Sequence, residues 1–258
     1  MTSVNHSKKF IFLHIPKNAG TYIQHILHKY YGCTNYNYLI RYDLDEVKFS
    51  IMNEKKKNNE SIYRSNPYSS KILGIHRYFS TSQSLLYNMC LNDKLWDEMY
   101  KFAFVRDPYS RFISSWNFVL NGFKNKNNIL KNSIGMEDIE KYKNIKYFIE
   151  NKDNLTDIAY NHIFITQFLH IVDKELNVNL NYIGKIENIE EDLENIITQL
   201  GFKSIIHLST NKINKKEYSP YKQYYDQFIL DFVNEWFDDD FKHFKYKKYT
   251  TIEDFLLN

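Results

Sequence analysis

Residues Phe10 to Thr21 constrain the fold of this chain more than any other stretch. Phe10-Ile11-Phe12-Leu13 is a short continuous apolar run of the kind that forms a strand buried on both faces. His14-Ile15-Pro16-Lys17-Asn18-Ala19-Gly20-Thr21 follows as a lysine-containing loop. Ile23, Ile26, Leu27 and Tyr30 then recur at helical spacing, and Gly32 stands where a C-terminal cap belongs. The chain therefore reads strand, loop, helix. The backbone N–H groups of Asn18 to Thr21 are expected to be unpaired at the positive end of the helix, with the Lys17 ammonium and the Thr21 hydroxyl beside them. Such a loop suits an anionic ligand; the plainer alternative is a strand-turn-helix whose lysine is merely solvated. Its lysine precedes the glycine, so it does not match GxxxxGK[ST], and an ordinary ATP or GTP site is disfavoured.

A second unit of the same kind begins at Lys101-Phe102-Ala103-Phe104-Val105. Asp107 can cap the next helix, Pro108 fits its first position, and Phe112, Ile113, Trp116 and Leu120 form its buried stripe. Trp116 is assigned to the core on that ground. Arg106 sits at the strand's end, and Ser110 and Ser114 are one helical turn apart, so a guanidinium and a hydroxyl can converge on one phosphate. An Arg-Asp pair before a helix is often only a local cap. Two strand-loop-helix units together are more specific, because both aim cationic and hydroxyl groups from strand carboxyl ends into one crevice of an α/β sheet.

A third strand-like run, Lys71 to Ile75, precedes His76. A neutral imidazole titrates in the range useful to a general base, which makes His76 the candidate, with a carboxylate as its rival and a capping or core role as the plain alternative. Further on, Tyr182 to Glu187 reads as a strand. Ile189, Leu193, Ile196, Ile197 and Leu200 mark a helix ended by Gly201, and Tyr224 to Phe237 is expected to be a long amphipathic helix carrying Phe228, Phe232, Val233 and Trp236.

His14 to Thr21 resembles the 5′-phosphosulfate loop of the carbohydrate sulfotransferases of family 2, the heparan and chondroitin type. Their donor is 3′-phosphoadenosine 5′-phosphosulfate (PAPS). Arg106-Asp107-Pro108, Arg111 and Ser114 resemble that family's 3′-phosphate signature, RDPxxRxxS. Asn161 with Thr166-Gln167-Phe168, the strand-acid-helix unit at Tyr182 to Glu187, and Asp238 to Tyr246 are similar to the family more loosely. The resemblance implies an α/β, P-loop-like three-layer fold, a central mainly parallel sheet flanked by helices, forming one domain over residues 1–258. It implies that Pro16, Lys17, Asn18, Ala19, Gly20, Thr21 and Tyr22 hold the 5′ end of PAPS, that Arg106 and Ser114 hold its 3′-phosphate, and that His76 is the base. Lys212, Lys215 or Lys216, in the basic loop that covers the nucleotide in relatives, is expected to reach the adenosine or its 3′-phosphate; a solvated loop is the alternative. The implied acceptor is a hydroxyl of a glycan or polysaccharide, though a small molecule or a protein tyrosine is also compatible. Two rival classes are an ATP-dependent phosphotransferase and a non-catalytic nucleotide- or glycan-binding protein.

Composition is consistent with these readings. A chain of 258 residues, 43% hydrophobic, can bury a substantial core in one domain. The lysine- and asparagine-rich segments Asn53 to Glu60 and Asn121 to Asn132 read as surface insertions. A net charge of +3 is too small to indicate a nucleic-acid binder, and two cysteines support neither a disulfide scaffold nor a zinc site. Met1 to Lys9 is polar, which suggests neither signal peptide nor membrane span. A cytoplasmic bacterial or viral enzyme is expected, or a Golgi lumenal one trimmed of its anchor. Transferring the singly charged SO₃ unit leaves a metal clamp dispensable, so activity without metal is expected.

Overall fold

A computed structural model of the chain describes residues 3–5, 7–35, 97–124, 140–152, 163–172, 176–202 and 221–258. At its centre the described residues form a five-stranded sheet in the order β3-β1-β2-β4-β5. Strands β2 (Phe10–Leu13), β4 (Tyr100–Val105) and β5 (Tyr182–Lys185) run parallel, with Phe12 opposite Phe102 and Phe102 opposite Tyr182. Strands β1 (Ser3–Asn5) and β3 (Thr34–Asn35) add antiparallel pairs at one edge. The parallel part is thus a three-stranded core of a mixed sheet, and the polar leader before Phe10 contains a strand. Edge strands evade an apolar pattern because polar side chains can complete them. Asn5, buried beside Ser3, donates from Nδ2 to the Tyr31 carbonyl at 2.6 Å and accepts the Lys8 amide at 2.9 Å.

The period-two alternation of β2 and β4 separates two cores. Phe10, Phe12, Phe102 and Phe104 pack with Ile23, Ile26 and Leu27 of α1 (Gly20–Tyr31) and with Leu193, Ile196 and Ile197 of α5 (Ile189–Gln199). Ile11, Leu13, Ala103 and Val105 pack with Phe168, Leu169 and Ile171 of α4 (Gln167–Ile171) and with Phe244 of α7 (Asp238–Phe244). Both faces of β2 and β4 are covered, which is why these strands are apolar at consecutive positions. A third cluster joins Phe112, Ile113 and Trp116 of α2 (Pro108–Lys124) to Phe148 of α3 (Ile145–Glu150). Ile229, Leu230 and Val233 of α6 (Gln227–Trp236) and Phe255 of α8 (Ile252–Leu257) complete it.

Helix ends follow the capping chemistry. Gly32 and Gly201 take φ of 63° and 72°, and Asp226 accepts the Ile229 amide at 3.0 Å. That cap starts α6 at Gln227, later than Tyr224, and leaves Phe228 43% exposed while Ile229 and Leu230 face inward. In α1 the buried tyrosine is Tyr31, not Tyr30. Tyr31 continues the Ile23, Leu27 row by another four residues, and its ring lies 4.6 Å from that of Phe202. Asn121 to Lys124, read from sequence as part of an insertion, continue α2. Among the described residues no helix is long and apolar enough to cross a membrane.

Candidate active site at the strand ends

Because β2 and β4 are parallel neighbours, the loops leaving their carboxyl ends lie side by side. The first loop is tightly wound. Lys17 and Ala19 adopt left-handed φ of 71° and 52°, a conformation costing a non-glycine residue about 1 kcal/mol or more. Gly20 is required for a different reason: a Cβ there would stand 1.8 Å from Cδ2 of the His14 ring. The Asn18 amide, expected to be free for an anion, instead closes the turn onto the Ile15 carbonyl at 3.4 Å. The amides of Gly20 and Thr21 open α1 without a backbone acceptor among the described residues. Ala19 accepts the Tyr22 amide at 2.9 Å, Pro16 is buried, and Thr21 is exposed. The Lys17 ammonium lies 4.2 Å from the centre of the Phe118 ring on α2.

The second loop meets the first through Arg106. Its Nη1 donates to the Lys17 carbonyl at 3.2 Å and its Nε to Ser110 Oγ at 2.8 Å. The hydroxyl that engages the guanidinium is therefore that of Ser110; Ser114 stands one turn further along α2, half-buried. Asp107 caps α2 as its sequence suggests, Oδ2 accepting the Ser110 amide at 2.8 Å. Its own amide donates to Glu187 Oε1 at 2.8 Å, and the other Glu187 oxygen accepts the Tyr246 hydroxyl at 2.9 Å. Burial pushes the Asp107 carboxyl up to about 6, with Glu187 adding to the rise. The Tyr246 phenol is raised far above its ordinary value by burial and by Glu187.

Arg111, the second arginine of the motif, points into the protein. It is fully buried and donates to the carbonyls of Ile165 at 3.0 Å, Ile163 at 3.0 Å and Pro16 at 3.3 Å. Burial lowers its guanidinium to about 10, and it remains a cation at neutral pH. It binds the start of the lysine loop to the segment before α4.

Gln167, not among the site residues expected from the sequence, makes four side-chain hydrogen bonds here. Its Oε1 accepts from Asn18 Nδ2 at 2.6 Å and from the Arg106 amide at 2.8 Å. Its Nε2 donates to the Arg106 carbonyl at 2.8 Å and to Asp240 Oδ2 at 3.2 Å. Asp240, also fully buried, accepts the Phe168 amide at 2.9 Å, and burial raises its carboxyl to about 6. Asn18, 1% exposed, donates from Nδ2 to the Phe104 carbonyl at 2.8 Å as well, so its side chain braces the loop from beneath. The sequence signal was Thr166-Gln167-Phe168: Thr166 Oγ1 caps α4 by accepting the Leu169 amide at 3.3 Å and delivers Gln167 to the strand ends.

The Lys17 loop and Arg106 thus meet where β2 and β4 end, while Arg111 braces the loop from within. His76, Lys212, Lys215 and Lys216 lie outside the described residues. Among the described residues no group of His, Cys, Asp and Glu is arranged to hold a metal ion.

An α/β sheet with a cationic strand-loop-helix at two adjacent carboxyl ends defines a class of enzymes that handle anionic groups. The model of the sulfotransferase family, family 2, matches residues 1–247, and the chain belongs to that family. It is accordingly a sulfotransferase, an enzyme of sulfuryl transfer. No curated protein and no solved structure matches the chain.

Proposed function

We propose that the enzyme transfers a sulfuryl group from PAPS to a hydroxyl of a carbohydrate or polysaccharide, on a P-loop-like three-layer domain, without a metal. The observation that carries this reading is the contact between the two cationic loops, Arg106 Nη1 on the Lys17 carbonyl at 3.2 Å. It joins the loop that carries the lysine to the strand end that carries the arginine, as a nucleotide with phosphates at both ends of its ribose requires. The amides of Gly20 and Thr21, the Thr21 hydroxyl and the loop from Pro16 to Tyr22 bind the 5′ end. Arg106, together with Ser114 one turn beyond the serine that engages its guanidinium, binds the 3′-phosphate, and Lys215 reaches the nucleotide from the basic loop.

In the reaction the acceptor oxygen attacks sulfur while the bond from sulfur to the 5′-phosphate oxygen breaks in line. Adenosine 3′,5′-bisphosphate leaves with the extra negative charge, which Lys17 stabilises. The acceptor proton passes to a base, His76 in this reading. The charge that develops is small enough for one lysine and the helix amides to meet it, and activity is expected in chelator. The enzyme would act in the cytoplasm.

The first test is calorimetric titration with adenosine 3′,5′-bisphosphate in chelator, with ADP and Arg106→Ala as controls. Binding that needs both the 3′-phosphate and Arg106 is expected, after which PAPS with glycan acceptors should give sulfated product. Equal binding of ADP would overturn the donor assignment and favour an ATP-dependent phosphotransferase.

A further inference from the structure

Gln167 occupies an unusual position for a residue that points at no solvent. The lysine loop and the arginine loop are separate pieces of chain, and each is held by the same carboxamide. Oxygen Oε1 takes Asn18 Nδ2 at 2.6 Å and the Arg106 amide at 2.8 Å; Nε2 gives to the Arg106 carbonyl at 2.8 Å and to Asp240 at 3.2 Å. Both lone-pair directions and both amide hydrogens are in use, so the group is saturated. Its orientation is also fixed. Rotating the amide by half a turn would set NH₂ against two donors and oxygen against the Arg106 carbonyl and a carboxylate. Asp240 enforces the choice from a different element, α7, while its other oxygen takes the Phe168 amide at 2.9 Å and so holds the start of α4 in place. Gln167 and Asp240 are both fully buried, and water cannot substitute for a missing partner without rearrangement.

We propose that Gln167 is a positioning residue that locks the lysine loop and Arg106 into one register, so that the two phosphate-bearing ends of the donor nucleotide are bound as a unit rather than independently. This rests on the donor reading above. The carboxamide grips the backbone of Arg106 on both its N–H and its C=O, in the manner of a strand partner. A guanidinium whose Cα is held in this way can reach a 3′-phosphate only at a set distance from the loop that Asn18 anchors. Removing the grip lets the loop and the arginine drift relative to each other while each retains its own charge. Ligands that touch one end lose little; the ligand that must span both loses most.

The experiment measures dissociation constants of adenosine 3′,5′-bisphosphate, adenosine 5′-monophosphate and adenosine 3′-monophosphate for the full-length wild type, Gln167→Met and Asp240→Asn, well below each protein's melting temperature. Methionine keeps length and volume and removes the four hydrogen bonds. Asp240→Asn keeps the packing and turns an amide toward Gln167 Nε2. The expected result for Gln167→Met is a loss of about tenfold to a hundredfold for the bisphosphate, with either monophosphate weakened by no more than about threefold. Asp240→Asn should give the same pattern at smaller size. Wild-type bisphosphate binding by the folded variants, or equal losses for all three ligands, would overturn the proposal by reducing Gln167 to a packing residue. Should Gln167→Met fail to fold, Asp240→Asn decides alone by the same criterion. If wild type itself binds the bisphosphate no better than ADP, the donor reading fails and the proposal with it. That outcome is distinguishable because it appears before any variant is compared.

Discussion

At the scale of single residues, the lysine loop is governed by close approaches. The His14 ring occupies the space a side chain at position 20 would need, with contacts of 1.8 and 2.0 Å to a hypothetical Cβ. Gly20→Ala must displace that ring or the loop, at a cost of roughly 1–3 kcal/mol. The expected outcome is a lower melting temperature together with at least tenfold weaker binding of adenosine 3′,5′-bisphosphate, read by calorimetry on the folded fraction. Lys17→Ala should behave differently. In the proposed reaction its ammonium meets the charge that moves to the leaving oxygen, so kcat should fall by about 10²–10³ with a smaller change in donor KM. Steady-state assays with PAPS check this, and a raised KM at unchanged kcat would remove Lys17 from the transition state. Lys17, Gly20 and Arg106 were legible in the sequence because a strand, a loop and a helix start are local patterns. Asn18 was legible only as a loop member; its contacts to Phe104 and Gln167 join positions remote in sequence, and no spacing rule reports them.

At the scale of elements, α2 works as a brace between segments remote in sequence. Asp107 and Pro108 announced its start, and the cap is present. What the motif did not disclose is that its two arginines have opposite destinations. Arg106 lies at the strand end facing the loop, whereas Arg111, about one turn and a half later, turns inward to three carbonyls. Arg111→Met is expected to destabilise the fold by roughly 2–5 kcal/mol, because it strands buried acceptors on two segments. Urea unfolding would measure it, and a change below about 1 kcal/mol would mean that the carbonyls find other donors. The five-residue α4 escaped a periodicity reading altogether, being too short to display a face. Only its cap and the Thr-Gln-aromatic run marked it, and the tertiary role of Gln167 was invisible.

At the scale of the molecule, the parallel core was legible because burial on both faces leaves a continuous apolar run, while the antiparallel edge was not, its strands being two and three residues long, mostly polar, and paired through backbone and Asn5. The core also encloses a carboxyl whose titration should be felt globally. Asp240 ionises near 6 in the folded chain against 3.8 ordinarily, so between about pH 4 and pH 6 the folded state keeps a proton that the unfolded state releases. Its contribution to stability therefore declines as pH rises through that window and is flat above it, by roughly 2–3 kcal/mol in all. Unfolding free energies at pH 4.5 and 7 should differ less in Asp240→Asn than in wild type; identical slopes would contradict the assignment. The same carboxyl carries a temporal consequence. The node that ties the two loops draws on residues 18, 106, 167 and 240, so its last member is made only after the other three. A ribosome-bound chain stopped short of α7 already carries Lys17 and Arg106, yet it lacks the Asp240 carboxyl that orients Gln167. On the donor reading proposed above, a tight grip on nucleotide then waits for α7 to emerge, and a nascent polypeptide holding only the earlier strands would leave free donor untouched.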